Sequence, residues 1–385
     1  MGLAAEFKQY VKTTFPDAVV NGAVQSVDGV VLDVMVFLHL FKPANEDSAA
    51  LRLVQSFWRP IRDARVAALC FDSAAQSPEA KQIEWRNRRQ PERHLTAEQV
   101  ERMLMFDVLD DEMYADLISM RKLRLMLCEY IVDNILRLFK TGNHSLETIY
   151  IFGGSVPKQF TRDEVLERPD LLREMHGEAD VSGVLAAFVM QTQHNCELIK
   201  SITVDTDWVL TGLLHSHVFN NMIVELSNYN RKTGFFDYLT IDIGKLSKAI
   251  TKSYNITCFE FGALALTRGC DYLGAMVKFC PKWPDYMNVM AKQLAQSKTK
   301  ITPTNVDTGV LHATIVAASD KMNRAKLTYT PNDGTLARLA WSLLYYNNVP
   351  LQGGAGMECI DFGGWVRDGS GRIQLATRCE KQVFN

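Results

Sequence analysis

The chain has 385 residues, 47% of them hydrophobic and 22% charged, and a formal net charge of −2. That balance excludes a disordered or highly charged polymer, and the length exceeds the usual size of one compact domain. It also excludes a global field that attracts nucleic acid, so any such binding has to come from a local basic patch.

In chain order, Leu3, Phe7, Tyr10 and Val11 recur at helical spacing and open the protein with a short amphipathic helix. Apolar runs at 29–33, 66–71, 148–152 and 199–204 read as buried strands separated by helical segments. That alternation is expected of a parallel sheet covered by helices. Thr96-Ala97-Glu98-Gln99 has capping-box spacing and begins a helical stretch over 97–140 that ends at Gly142. Beyond about residue 275 the strand signal fades, and helices are expected over 285–297, 306–322 and 334–347. Trp341, Tyr345 and Tyr346 fall at spacings that favour core packing, and the Gly-rich tail from 353 to 372 reads as loop and edge.

Eight cysteines are scattered with no C-x-x-C and no His pair at zinc spacing, which favours free thiols in a reducing compartment. The opening residues lack a basic then apolar leader, Glu6 stands where a myristoylation signal needs Ser or Thr, and no apolar run is long enough to span a bilayer. A cytoplasmic or nuclear protein is expected, neither secreted nor membrane-bound.

The acidic residues of interest close the strand-like runs: Val31-Leu32-Asp33, Cys70-Phe71-Asp72 and Thr203-Val204-Asp205-Thr206-Asp207. Asp33 stands out, because it lies within the apolar run VVLDVMVFLHL. A lone buried carboxylate there costs several kcal/mol unless it is paired or bound to metal. His176-Gly177-Glu178-Ala179-Asp180 precedes the apolar helix 181–190, and Arg268-Gly269-Cys270-Asp271-Tyr272 follows another over 258–267. In an open parallel sheet the carboxyl ends of the strands share one edge, where sites form. Seven carboxylates gathered there repel one another unless cations neutralise them. Hard divalent ions, Mg²⁺ or Mn²⁺, suit such oxygen donors, and a pair of them can stabilise an in-line phosphoryl displacement. Each motif alone also reads as a helix cap or a chance pairing. The ordered set of five points to metal.

One basic segment joins the acids. On a helix, Lys81, Trp85, Arg88 and Arg89 lie at i, i+4, i+7 and i+8 on one face. Guanidinium groups there can grip a terminal phosphate bidentately, and Trp85 can stack on a base. The alternative is a solvated helix face.

Together these residues resemble the PIN-like 5′ nuclease superfamily, which contains flap endonucleases, XPG/Rad2 repair nucleases and Xrn-type 5′→3′ exoribonucleases. The resemblance covers residues 1 to about 275. It implies an α/β fold, a mainly parallel central sheet flanked by helices, over 1–275, with 90–140 as a helical arch or lid and 276–385 as a helical C-terminal extension. It also implies that Asp33, Asp72, Glu178, Asp180, Asp205, Asp207 and Asp271 are the metal-binding catalytic acids, the first four holding one Mg²⁺ and the last three helping to hold a second, with Mn²⁺ able to substitute.

Several details are similar to Xrn enzymes. The opening MGLAAEFKQYVKTTFP matches their start in kind, and His39 falls where they carry a histidine that stacks on the 5′-terminal base. Lys81-Gln82-Ile83-Glu84-Trp85-Arg86-Asn87-Arg88-Arg89 has the K-x4-R-x-R-R spacing of their 5′-phosphate pocket, which implies that Lys81, Arg86, Arg88 and Arg89 contact substrate phosphates. Trp85 departs from the glutamine of that pattern, and His176-Gly177 from the usual Pro-Gly or Pro-Ser. YLGAMVKFCPKWPD, from Tyr272 on, lacks the Gly-Ile-Gly hairpin by which flap endonucleases hold duplex DNA. The chain is also shorter than cellular Xrn enzymes, as a minimal, divergent or viral member would be.

The expectation is a Mg²⁺-dependent 5′ nuclease acting on single-stranded nucleic acid, RNA favoured over DNA, with 5′→3′ exoribonuclease activity on 5′-monophosphate ends. Its competitors are a structure-specific flap or XPG-like DNA endonuclease, an endoribonuclease that degrades mRNA, and an inactive nucleic-acid-binding scaffold.

Overall fold

The computed structural model describes residues 3–22, 24, 26–41, 49–72, 96–105, 111–171, 178–219, 221–230, 235–270, 273, 277–278, 282–297, 299–321, 326–327, 332–347, 365–367, 369 and 373–375. Its centre is a mixed sheet of eight strands: β1 (Gly29–Asp33), β2 (Val66–Cys70), β3 (Thr148–Phe152), β4 (Lys158–Phe160), β5 (Val165–Glu167), β6 (Ile199–Thr203), β7 (Met222–Asn230) and β8 (Phe235–Asp242). Their spatial order is β5-β4-β3-β2-β1-β6-β7-β8.

The middle five strands, β3 through β7 in that order, pair in parallel, while β4, β5 and β8 join antiparallel at the edges. The four apolar runs read as strands are those at and beside the centre. Every residue of β1 and β2 is buried, as expected where helices cover both faces.

The pleat sorts the core into two clusters. Val30 and Leu32 point to one face with Ala67, Leu69 and Ile149; Val31 points to the other with Val66, Ala68 and Tyr150. On the first face lie α2 (Val34–Leu40), α3 (Ala49–Ile61) and two of the helices of the 97–141 stretch. That stretch divides into α4 (Ala97–Met105), α5 (Asp111–Ser119) and α6 (Arg121–Thr141). Leu123, Leu127, Ile131, Ile135 and Phe139 form a buried stripe at four-residue spacing along α6, which packs on α3. This helix is therefore a layer of the core.

On the second face lie α1 (Leu3–Thr14), α7 (Ala179–His194), α8 (Asp207–Leu214), α9 (Ile243–Tyr254) and α10 (Cys258–Leu266). The later helices α11 (Trp283–Ala295), α12 (Thr308–Lys321) and α13 (Asp333–Asn347) contribute to that same cluster through Trp283, Tyr286, Leu311, Ile315, Leu339 and Trp341. Trp341, Tyr345 and Tyr346 are buried together, Trp341 stacked on Tyr345 at 5.0 Å. Two strand pairs complete the described elements: β9 (Val277–Lys278) with β10 (Lys326–Leu327), and β11 (Trp365–Arg367) with β12 (Ile373–Leu375). Among the described residues no helix is long and apolar enough to cross a membrane.

The chain builds the sheet outward from β1 through β2 to β3, then returns to lay β6 on the other side of β1. This reversal makes the carboxyl ends of β1 and β6 the topological switch point, where open α/β sheets leave a crevice.

Candidate metal centre

Asp33 is the last residue of β1 and the N-cap of α2, so strand turns into helix with no intervening loop. Its carboxylate is 5% exposed, accepts the Thr203 hydroxyl at 2.9 Å and accepts the Val36 N–H at 3.4 Å. Burial above all, then the charges of Asp72 and Asp205, push its carboxyl up to about 8, against the opposing hydrogen bonds from Thr203 and Val36. Three carboxylates thus converge electrostatically on the switch point.

Asp72 lies two residues beyond β2 and reaches across the sheet edge. Its Oδ1 accepts the Ala179 N–H at 3.0 Å, capping α7 from outside the helix. Glu178 occupies the N-cap position and is buried, yet its side chain makes no capping hydrogen bond. Asp180 sits in the first turn and accepts the Val181 N–H at 2.8 Å. The positive end of α7 therefore faces three acids, an arrangement the helix dipole favours.

A hydrogen-bond relay joins β6 to the last acids. The Asp205 N–H donates to Thr203 Oγ1 at 3.0 Å, and that hydroxyl donates onward to Asp33. The Asp207 N–H donates to Asp205 Oδ1 at 3.0 Å, which starts α8. Tyr346, from α13, donates its hydroxyl to Asp207 Oδ2 at 2.8 Å. The His215 ring donates from Nε2 to the Tyr346 carbonyl at 3.2 Å, since a carbonyl can only accept. Burial holds that imidazole down at about 4, so it is neutral near pH 7.

Two close approaches fix the acid-bearing turns. Gly183 in α7 lies against the Trp208 indole of α8, and a Cβ there would stand 2.1 Å from a ring carbon. Gly153, after β3, has φ +116° and packs on Phe71, the residue before Asp72.

The expected residues are thus distributed as follows. The charges of Asp72 and Asp205 both act on Asp33, and Thr203 bridges Asp33 to the Asp205 backbone; Glu178, Asp180 and Asp207 stand at the starts of α7 and α8. His39 is exposed in the last turn of α2. Asp271 lies outside the described residues, as do Lys81, Trp85, Arg86, Arg88 and Arg89. The turn leading to Asp271 is nonetheless anchored: buried Arg268 pairs with Glu6 at 2.8 Å and lies over the Trp283 ring at 4.6 Å.

Thr203, Lys8 and Tyr346 are functional candidates to which the sequence reading gives no role in the site, Tyr346 being read there as core. Thr203 has a local signal, two residues before Asp205. Lys8 and Tyr346 meet the acids only through tertiary packing. Lys8 is half-buried in α1; burial lowers its pKa while the charge of Asp205 raises it.

Among the described residues no three His, Cys, Asp or Glu side chains form a ready-made cage for a metal ion. The donor chemistry still fits a hard divalent cation. Asp33 is a carboxylic acid held out of its normal ionised state by burial and two carboxylate neighbours, and a cation supplies the compensation that ionisation needs.

No family model and no curated protein matches the chain. Solved structures do. A bacteriophage T5 flap endonuclease in complex with DNA and metal ions aligns over 83% of this chain and 89% of its own, at 14% identity and a TM-score of 0.35. The catalytic core of Rad2 with a DNA substrate aligns over 74% and 67% respectively, at 16% identity and a TM-score of 0.38. Flap endonuclease-1 from Methanococcus jannaschii aligns over 88% and 99%, at 11% identity and a TM-score of 0.38.

Proposed function

We propose that this protein is a divalent-metal-dependent 5′ nuclease that hydrolyses phosphodiester bonds from the 5′-monophosphate end of single-stranded RNA. The observation that carries the nuclease reading is that buried Asp33 and the Asp205 backbone share the Thr203 hydroxyl at the switch point of the sheet, with Asp72 just beyond the neighbouring strand β2. The exonuclease and RNA parts rest on the sequence likeness to Xrn enzymes, above all the Lys81 to Arg89 segment.

In this reading Asp33, Asp72, Glu178 and Asp180 hold one Mg²⁺, and Asp205, Asp207 and Asp271 hold a second. Bound there, Mg²⁺ supplies Lewis-acid polarisation of the scissile phosphate and makes water acidic enough to attack near neutral pH. The chain's own residues do the rest. Thr203 orients Asp33 and restrains Asp205 through one hydroxyl. The Ala179 N–H fixes Asp72. Lys81 steadies the scissile phosphate, Arg86 contacts substrate, and Arg88 and Arg89 grip the terminal phosphate and set the length of each cut at one nucleotide. His39 and Trp85 stack on bases near the 5′ end. The segment 90–140 forms the arch or lid that admits a single strand, with α6 as its side against the core.

The test is a side-by-side assay with Mg²⁺ of end-labelled RNA carrying a 5′ monophosphate, the same RNA with a 5′ hydroxyl, and a 5′-flap DNA. Mononucleotides released fastest from the monophosphorylated RNA are the expected result. Faster incision of the flap assigns a structure-specific DNA nuclease instead, and oligomeric RNA products assign an endoribonuclease. No cleavage of any substrate, together with no Mg²⁺ or Mn²⁺ binding by calorimetry, overturns the nuclease reading in favour of a scaffold.

A further inference from the structure

Helix α13 reaches the acid cluster through Tyr346. This residue is 2% exposed, and its hydroxyl donates to Asp207 Oδ2 at 2.8 Å across 139 positions of sequence. Its carbonyl accepts from His215 at 3.2 Å. Asp207 begins α8 and His215 immediately follows its last residue, so Tyr346 clasps both ends of this short helix. The clasp is itself braced. Tyr345 packs edge-on against Tyr346 at 5.8 Å and stacks on Trp341, while α13 lies against α8, α10 and α12.

A buried tyrosine hydroxyl needs a partner, and a carbonyl would satisfy it. Here the partner is a carboxylate at the start of an acid-bearing helix. A hydrogen bond to an ionised oxygen is stronger than a neutral one and fixes the plane of the carboxylate.

Resting on the metal-dependent reading above, we propose that Tyr346 is a positioning residue: it holds the Asp207 carboxylate in the orientation that receives a divalent cation, so the C-terminal helical segment supplies part of the metal site. It acts through Asp207 and touches no reacting atom. Groups that hydrogen-bond a metal ligand from outside typically account for 10- to 100-fold in metal affinity.

The experiment is Mn²⁺ titration by calorimetry on the full chain, using wild type, Tyr346→Phe, Asp207→Asn and the double variant. Tyr346→Phe deletes only the hydroxyl and keeps the packed ring. It should weaken Mn²⁺ binding ~10- to 100-fold and lower the metal-free melting temperature by no more than ~4 °C. In the Asp207→Asn background the second substitution should add nothing. Cleavage by Tyr346→Phe should recover as Mg²⁺ is raised. Unchanged Mn²⁺ affinity in Tyr346→Phe, beside a wild type that binds, overturns this inference alone. A full-sized loss that persists with Asp207→Asn also overturns it, because the hydroxyl then acts by another route. A wild type that binds no Mn²⁺ overturns the nuclease reading and this inference together.

Discussion

Gly183 and Trp208 are in van der Waals contact across the α7–α8 interface, the glycine hydrogen filling the space that the indole leaves it. Three residues before Gly183 stands Asp180, and directly before Trp208 stands Asp207. The contact therefore sets the separation of two acid-bearing helix starts. Gly183→Ala should push the helices apart at an overpacking cost of ~1–3 kcal/mol. Thermal melting should register the loss, and Mn²⁺ affinity should fall with it. A variant with unchanged melting would show that the interface yields freely.

The strands that build the centre of the sheet are visible in the sequence because they are buried on both faces, so each is a continuous apolar run. β7 and β8 are not. The pattern Met222-Ile223-Val224-Glu225-Leu226-Ser227 is mixed, and its pairing partners are β6 and β8, so long-range contacts decide its conformation. α2 is hidden for the opposite reason: the run from Val30 to Leu40 is apolar almost throughout, and periodicity cannot mark where the strand ends. Asp33 marks it, as the N-cap. The strand-end acids are legible because their position follows from the elements. Tyr346 and Lys8 are not, because Asp207 and Asp205, the acids they act on, lie far from them along the chain.

Thr203 joins Asp33 to Asp205 through one oxygen, donating to the first and accepting from the second. Thr203→Val keeps the shape and removes both bonds, leaving the buried Asp33 oxygen without that donor. The cost should be ~1–3 kcal/mol of stability. The hydroxyl also opposes the rise of the Asp33 pKa. Its removal should therefore move the ascending limb of the cleavage pH profile to higher pH, and Thr203→Ser should restore it. A pH–rate series on the three proteins checks this; coincident profiles would sever Thr203 from the chemistry.

Asp205 is exposed, and its place in the fold is the relay around Thr203 and the start of α8. Asp205→Ala keeps the backbone N–H that donates to Thr203. The variant should therefore abolish cleavage while leaving the circular dichroism spectrum intact and the melting temperature within ~4 °C. Full activity in that variant would remove Asp205 from the site.

Metal-free stability should carry the signature of Asp33. In the fold its carboxyl keeps a proton up to about 8, whereas the unfolded chain releases it near 3.8. Between those values the folded state binds the additional proton, so this group's contribution to stability falls as pH rises through the window and levels off above it. Wild type in chelator should melt at progressively lower temperature over that range. Asp33→Asn, with no proton to release, should give a flatter profile. Saturating Mg²⁺ should flatten the wild-type profile as well, because the cation stabilises the ionised carboxylate in the folded state alone. Parallel slopes for wild type and Asp33→Asn in chelator would mean that another group carries the pH dependence.

Two glycines with positive φ separate strain from crowding. A Cβ on Gly22, φ +90°, would have nothing within 4 Å, whereas a Cβ on Gly153, φ +116°, would stand 2.5 Å from Phe71 Cβ and 2.6 Å from its carbonyl oxygen. Both alanine variants incur backbone strain of ~1–3 kcal/mol. Only Gly153→Ala also displaces Phe71, and with it the adjacent Asp72 that caps α7. Gly22→Ala should thus lower the melting temperature and leave Mn²⁺ affinity alone, while Gly153→Ala should lower both. Equal Mn²⁺ affinities in the two variants would show that Asp72 is held by the α7 N-terminus independently of the turn beneath it.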